Sequence, residues 1–445
     1  MARATEQTPA TVPAGATQAG EIRARWAWVE PTVWTERMLA ALEQGVKGGT
    51  WFSLMDKVYA MPNLRAAFAK VKANAGAAGV DRQTLTMFEQ HLETNLQRLA
   101  QELRVRSYRP QAVRRKWIAK VGNKNEKRPL GIPTVRDRVV QAALGHMVEP
   151  IFERDFAPHS YGFRPKRGCK DALRRVVELL RAGYPYVVDA DLKSYFDTIP
   201  HTALLDEVKR KVADGRVLEL IEAYMKNSIM DGLQQWIPDG GTPQGAVLSP
   251  LLSNIYLDPL DHLMRQARYE MVRYADDFIL LCRSEAEAQR ALEQVQQWTA
   301  QAGLTLHSEK THIVDAAQPG GFDFLGYHFE RGQRWPRKKS LAKFKDTIRA
   351  KTKRTSGLSL EMIIVNVNRT LMGWFHYFKH SHQRTFPPLD GWVRMRLRSI
   401  LRKRRGQCGR GRGENHRRWP NAYFHAHGLY SLTIAHATIC QSSSR

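Results

Sequence analysis

Apolar positions along the 445-residue chain recur in two rhythms. Steps of three or four predict helices over Trp51–Leu103, Val135–Phe152 and Lys170–Leu180, the first broken by a loop at Asn74–Gly79. Residues 112–121 and 128–132 read as short strands flanking a polar turn at 122–126. Residues 184–192 (YPYVVDADL) are β-branched and apolar until they meet acids, the pattern of a buried strand that ends at a site. Ser249-Pro250 opens a helix to about Gln266, with Ser as N-cap and Pro in the first turn. Residues 271–282 form two apolar runs around an acidic turn, a predicted hairpin. Ser284 and Glu287 then make a capping box for a helix that places Leu292, Val295, Trp298 and Ala302 on one face, and Gly303 closes it.

Three amphipathic segments follow, Leu341–Lys353, Ser359–Lys379 and Leu389–Arg405, with short connections that suit a small bundle. In the second, Leu360, Ile364, Val367, Leu371, Trp374 and Phe378 form one apolar stripe. The mixed order of elements in the body implies an α+β fold, not a βαβ array. Residues 1–20 are dominated by Ala, Thr, Pro, Gly and Gln and are expected to form an unordered tail. The expected division is therefore a tail (1–20), a body (21–330), a helical module (331–405) and a basic C-terminal tail (406–445).

Charge sharpens this picture. The net charge is +26, and Arg331–Pro420 alone holds 25 Lys and Arg against 4 Asp and Glu. The body before it is nearly balanced. A dense cationic module interleaved with Trp374, Phe375, Tyr377, Phe378 and Trp392 suits phosphate contacts and base stacking, so nucleic acid is the expected partner. No apolar run approaches the roughly 20 residues of a membrane span, and the first 20 residues lack a signal-peptide core, so no membrane partner is expected. Cys169, Cys282, Cys408 and Cys440 form no C-x-x-C pair, which argues against a disulfide framework or cysteine-built zinc site and for a reducing cytoplasm. His376, His380 and His382 cluster without Glu or Cys and read as polar-face residues.

The sharpest chemical signal is Tyr274-Ala-Asp276-Asp277 between two apolar strands. Adjacent carboxylates in a tight turn repel, so the position costs free energy unless a cation sits there. A second acidic strand end, Asp189-Ala-Asp191, precedes Phe196 and Asp197. Hard oxygen ligands from two strand ends are what Mg²⁺ takes, with substrate phosphates completing its shell. Two such ions could activate a hydroxyl and stabilise leaving pyrophosphate.

These blocks resemble those of reverse transcriptases, in the family's order. Lys127–Pro133 (KRPLGIP) looks like the fingers block and Ser160–Pro165 (SYGFRP) like the stretch after it. Asp191–Asp197 (DLKSYFD) is similar to palm motif A, Gly241–Gly245 (GTPQG) to motif B and Tyr274–Asp277 to the Y-x-D-D signature. Gly303–Thr311 resembles motif D, and Phe324-Leu325-Gly326-Tyr327 the primer grip. The whole is similar to bacterial group II intron reverse transcriptase/maturases.

That resemblance implies a right-hand polymerase, with fingers and an antiparallel palm sheet followed by an all-α basic thumb/maturase domain. It implies that Asp191, Asp276 and Asp277 hold two Mg²⁺ ions and that Lys120 and Arg128 face the incoming triphosphate. Phe196 would exclude a ribose 2′-hydroxyl, Gln244 and Gly245 would line the nucleotide pocket, and Lys310 could protonate pyrophosphate. The implied partners are an intron RNA template, a DNA primer or target, and deoxynucleoside triphosphates. Related proteins often end in an HNH-type endonuclease, and about 40 residues follow Arg405, so the resemblance is to the subgroup lacking one. A splicing cofactor with a degenerate palm is the rival from another class, and a retron or defence reverse transcriptase the rival within the enzymes. The intact carboxylates and the long basic module weigh against them.

Overall fold

The computed structural model describes residues 14–46, 48–120, 123–242, 245–407 and 413–442, the side chains of 14–19, 120, 123–126 and 442 excepted. Among these residues the strands are β1 (Val113–Lys120), β2 (Asn123–Ile132), β3 (Tyr186–Asp191), β4 (Ile229–Asp231), β5 (Gln234–Trp236), β6 (Glu270–Tyr274), β7 (Asp277–Cys282), β8 (His312–Asp315), β9 (Phe322–Phe324), β10 (Tyr327–Glu330) and β11 (Gln333–Pro336). They form three sheets, ordered β2-β1-β4-β5, β6-β7-β3-β8 and β11-β10-β9. The central sheet is antiparallel throughout. The fold is α+β, with fingers and palm leading into a helical thumb.

The central sheet is covered on both faces, which explains the near-continuous apolar runs of β3 and β7. Val188, Ala190, Phe278 and Leu280 join the large helical core of the body. Val187, Ile279 and Leu281 face a second core, built with the Cys169–Arg181 helix, Phe322, Phe324, Tyr327, Phe329 and the thumb residue Phe378. The thumb helices run Lys338–Lys351, Leu360–Phe378 and Phe386–Arg404, close to the three segments expected.

Several boundaries differ from expectation for physical reasons. A helix spans Ala14–Arg25, so the expected unordered tail is ordered from Ala14, while residues 1–13 lie outside the described residues. Ile22 packs against the body's core and the adjoining Trp26 is buried in it, contacts that a composition argument cannot see. β2 begins at Asn123 instead of 128, because pairing with β1 holds polar residues in the ladder. Leu248, not Ser249, is the N-cap of the Ser249–Gln266 helix, and the amides of Val247 and Leu248 are taken by Gln141 Oε1 from another helix, at 2.8 and 3.3 Å. Within the segment expected as a basic tail, Trp419, Phe424, Leu429 and Leu432 join the thumb's own core, while 408–412 and 443–445 lie outside the described residues.

One buried network fixes the palm hairpin. Arg273 of β6 is fully buried, and its Nε donates to both Asp261 carboxylate oxygens at 2.8 and 3.0 Å. Its Nη1 donates to Asn254 Oδ1 and to the Ala275 carbonyl, both at 2.9 Å. Asn254 in turn donates to the Gly162 carbonyl at 2.8 Å. The Arg273 main chain exchanges hydrogen bonds with His159 and Tyr161 at 3.0 and 2.9 Å, adding the Ser160–Pro165 block to the edge of the sheet. Removing one partner of a buried ion pair leaves an uncompensated charge, at a cost of about 3–5 kcal/mol. Asp261→Asn is therefore expected to lose stability on that scale in guanidinium unfolding, and Arg273→Met with Asp261→Leu to lose less than the single change. An Asp261→Asn protein as stable as the parent would show that something else holds the hairpin.

Candidate active site

β6 and β7 are joined by a two-residue turn, Ala275-Asp276, with Tyr274 paired to Asp277 across it. Ala275 takes a φ of +61°, a left-handed conformation that a residue with a Cβ adopts only when its surroundings impose it. Those surroundings are the Arg273 side chain on the Ala275 carbonyl and Gly162 packed over the turn. A Cβ on Gly162 would lie 2.2 Å from the Ala275 nitrogen, so only glycine fits there.

In the neighbouring pair, Asp191 at the end of β3 is the cross-strand partner of Asp277. Strand alternation puts Asp189, Asp191 and Asp277 on one face, with Asp276 beside them in the turn. Desolvation and the charges of Asp189, Asp276 and Asp191 push Asp277 up to about 7, opposed by Arg337. Desolvation and Asp191 likewise raise Asp276, and desolvation raises Asp189 to about 6 against the pull of His312. Burial and neighbouring negative charge thus both disfavour the ionised forms of Asp189, Asp276 and Asp277. Lys310 answers part of the excess, its Nζ lying 2.6 Å from Asp191 Oδ2.

Lys310 comes from a segment threaded alongside motif A. Lys193 N–H donates to the Thr305 carbonyl and His307 N–H to the Asp191 carbonyl, both at 2.8 Å. Leu192 and Leu306 form an isolated bridge between them. Motif A, the Y-x-D-D hairpin and motif D are therefore joined by backbone hydrogen bonds, and a sheet sets the positions of Asp191 and Asp277.

Could the site hold divalent cations? The donors are hard carboxylate oxygens, their raised proton affinities report unbalanced negative charge, and a lysine ammonium already sits against one of them. Among the described residues no three His, Cys, Asp or Glu side chains converge on one point. The residues fit the group in kind and in shared face, with Lys310 occupying one carboxylate.

The other expected residues divide. Phe196 is half-buried, its ring 5.6 Å from that of Tyr195, and its carbonyl accepts from Thr242 N–H at 2.7 Å. Motif B thus touches motif A directly. Gly245 has a φ of +105°, and a Cβ there would meet the Gly131 carbonyl of β2 at 2.5 Å. It lines a cavity of about 710 Å³ shared with Leu130, Phe163 and the Asn74–Ala77 loop. Arg128 is exposed on β2 opposite Ile118. Gln244 and the side chain of Lys120 lie outside the described residues. Phe324 and Tyr327 are buried in the second core, so the grip presents its turn, Leu325-Gly326, where both φ values are positive (+45° and +84°).

Motif reading missed Arg273, Asn254, Asp261 and Arg337. A charged residue inside the apolar run of β6 was the available signal, together with two polar residues seven apart on an apolar helix.

Comparison with known proteins agrees with this architecture. Residues 118–329 match the family "Reverse transcriptase (RNA-dependent DNA polymerase)", and residues 341–419 match "Group II intron, maturase-specific domain". Protein YkfC of Escherichia coli (strain K12) is 32% identical over 351 residues, covering 69% of this chain and 86% of that protein. Group II intron-encoded protein LtrA of Lactococcus lactis subsp. cremoris is 36% identical over 215 residues, 48% of this chain and 35% of LtrA. An uncharacterized 91 kDa protein in the cob intron of Schizosaccharomyces pombe is 32% identical over 204 residues, 46% of this chain and 25% of that protein. The chain thus spans most of one curated relative and about a third or less of the others. The carboxylate-bearing palm, the basic helical module and these matches agree: the chain belongs to the group II intron-encoded reverse transcriptase/maturase family.

Proposed function

We propose that this chain extends a DNA primer with deoxynucleotides on an intron RNA template, by a two-metal mechanism, and assists splicing of that RNA through its basic thumb. The observation that carries the reading is the register that pairs Asp191 with Asp277 and sets Asp276 in the adjoining turn. Mg²⁺ held by these three carboxylates would supply Lewis-acid activation of the primer 3′-hydroxyl and neutralise charge on the triphosphate.

The chain's own residues do the rest. The sheet would hold Asp191 and Asp277, and the tight turn braced by Arg273 would hold Asp276, the fixed arrangement that electrostatic catalysis requires. Lys310, which now lies against Asp191, would give a proton to the departing pyrophosphate once released from that carboxylate. Arg128 on the exposed face of the fingers sheet offers a guanidinium to the triphosphate. Phe196, its ring set edge-on to Tyr195 and its carbonyl bonded to Thr242 N–H, would form a wall against a 2′-hydroxyl. No helix among the described residues is long and apolar enough to cross a membrane, and Cys169 and Cys282 form no disulfide, which suits action in the cytoplasm.

The test separates the two activities. Asp276→Asn removes one carboxylate charge and is expected to cut primer extension by at least about a hundredfold. Affinity for intron RNA and its splicing, which rest on the thumb and fingers, should stay within about twofold of the parent, since no phosphate-binding cation is touched. Because the change also relieves repulsion, the metal-free variant should melt at or above the parental temperature. Retained extension would refute the metal assignment, and lost splicing in a folded variant would refute the separation.

Sugar selection gives a second expectation. Phe196→Val should raise ribonucleotide incorporation while part of the deoxynucleotide incorporation survives, measured in parallel extension assays. If Phe196→Val loses all extension together with thermal stability, the ring serves the core and not the sugar.

A further inference from the structure

A cavity of about 580 Å³ lies where the palm meets the thumb, away from the carboxylates. Its lining includes Pro185, which precedes β3, whereas Asp191 ends that strand. At about 3.3 Å per strand residue, the two are roughly 20 Å apart. Val177, Leu180 and Phe329 supply apolar lining, and Arg181, Arg334 and His382 supply polar lining.

The electrostatics of this cavity are unusual. No Asp or Glu lines it. Neither Arg181 nor Arg334 makes an ion pair among the described residues, and burial, with the charge of Arg181 beside it, lowers the proton affinity of Arg334. Arg334 is held by its Nε, which donates to the His380 carbonyl at 2.6 Å, so the planar face of its guanidinium is fixed. His380 is pushed down to about 4 by desolvation and by Arg334, Lys379, Lys170 and Arg174. The ring of His382 packs on Trp335 with centroids 4.3 Å apart, giving the cavity a braced flat group. A fold that gathers cations around a hollow without acids is poised for an anion.

The volume, the two guanidiniums and the flat apolar groups together narrow the anion. Guanidiniums match phosphate oxygens in pairs, and an imidazole and a phenyl ring suit a base or sugar. A hollow of about 580 Å³, open on one side, has room for one unpaired nucleotide and not for a duplex. We propose that this palm–thumb cavity binds a single unpaired nucleotide of RNA through its phosphate, at a site separate from the polymerase centre. The proposal rests on RNA being this chain's partner.

The test uses the full chain and a 4-thiouridine-containing single-stranded RNA oligonucleotide, with cross-linked peptides identified by mass spectrometry. Cross-links are expected in the segments 329–335 and 380–383. Arg181 is exposed on the last turn of its helix, so Arg181→Glu and Arg181→Ala should both fold, with melting temperatures checking this. By fluorescence anisotropy, Arg181→Glu should weaken oligonucleotide binding about tenfold, Arg181→Ala less, and the salt dependence should fall by about one ion. Two competitors distinguish the source of the phosphate. Displacement of these cross-links by AMP but not by inorganic phosphate supports recognition of a nucleotide unit. Displacement by both supports the same site with phosphate as its main contact. Absence of cross-links in both segments, or unchanged affinity and salt dependence in both folded variants, overturns the proposal. Displacement by polyglutamate at concentrations where AMP has no effect also overturns it, in favour of an acidic protein. Primer extension by the parent protein reports separately on the polymerase reading, so failure of one is not failure of the other.

Discussion

The palm depends on a guanidinium that has no access to water. Arg273 sits in β6 two residues before the Ala275-Asp276 turn, and its side chain's bonds run to groups that must be placed for that turn to exist. Asp261 and Asn254 belong to the Ser249–Gln266 helix behind the sheet, and the Ala275 carbonyl belongs to the turn itself. Burying an arginine is costly unless its charge and donors are all met, so the structure tolerates Arg273 only where helix, turn and Ser160–Pro165 block are in register. The ion pair therefore selects one arrangement of the hairpin more than it adds net stability. It also maintains the positive φ of Ala275.

That rigidity has a purpose at the neighbouring carboxylates. Asp189, Asp191, Asp276 and Asp277 repel one another, and a flexible loop would relieve the repulsion by splaying them apart. Here relief by movement is blocked: Asp191 and Asp277 are locked in a ladder, and the Asp191 carbonyl is also tied to His307. What remains is relief by a cation. The Lys310 ammonium is the protein's own partial answer, and a mobile side chain can yield to a stronger cation.

How far this was legible in the sequence depends on whether a residue's partner is local. The Tyr274–Asp277 hairpin, the acidic end of β3 and the three thumb helices follow from alternation, turn chemistry and stripe spacing, all short-range patterns. The Arg273 network was hidden because its partners lie 12 and 19 residues away and their use depends on packing. The Leu248 N-cap was hidden for the same reason: the capping oxygen comes from Gln141, over 100 residues upstream. The grip shows a different failure. The motif marks Phe324–Tyr327 as one functional unit, yet alternation sends Phe324 and Tyr327 into the core and leaves the Leu325-Gly326 turn to do any gripping.

That turn also decides what the thumb is. The Gly326 carbonyl accepts from Arg337 N–H and Ser340 Oγ at 3.0 and 3.1 Å, and the Leu325 carbonyl accepts from Tyr377 Oη at 2.7 Å. Tyr327 Oη donates to the Tyr377 carbonyl at 2.6 Å, and its ring lies 5.0 Å from that of Phe378. The charge step near residue 331 suggests a detachable basic module, but the hydrogen bonds run across it. Cutting at that step would strip Phe378 from the palm's second core and unpair both carbonyls of the grip turn. The boundary seen in charge is a boundary of composition, while the boundary in packing lies elsewhere. Any group resting on the Leu325-Gly326 turn would therefore meet palm and thumb together, because the carbonyls of that palm turn are held by Arg337, Ser340 and Tyr377 of the thumb.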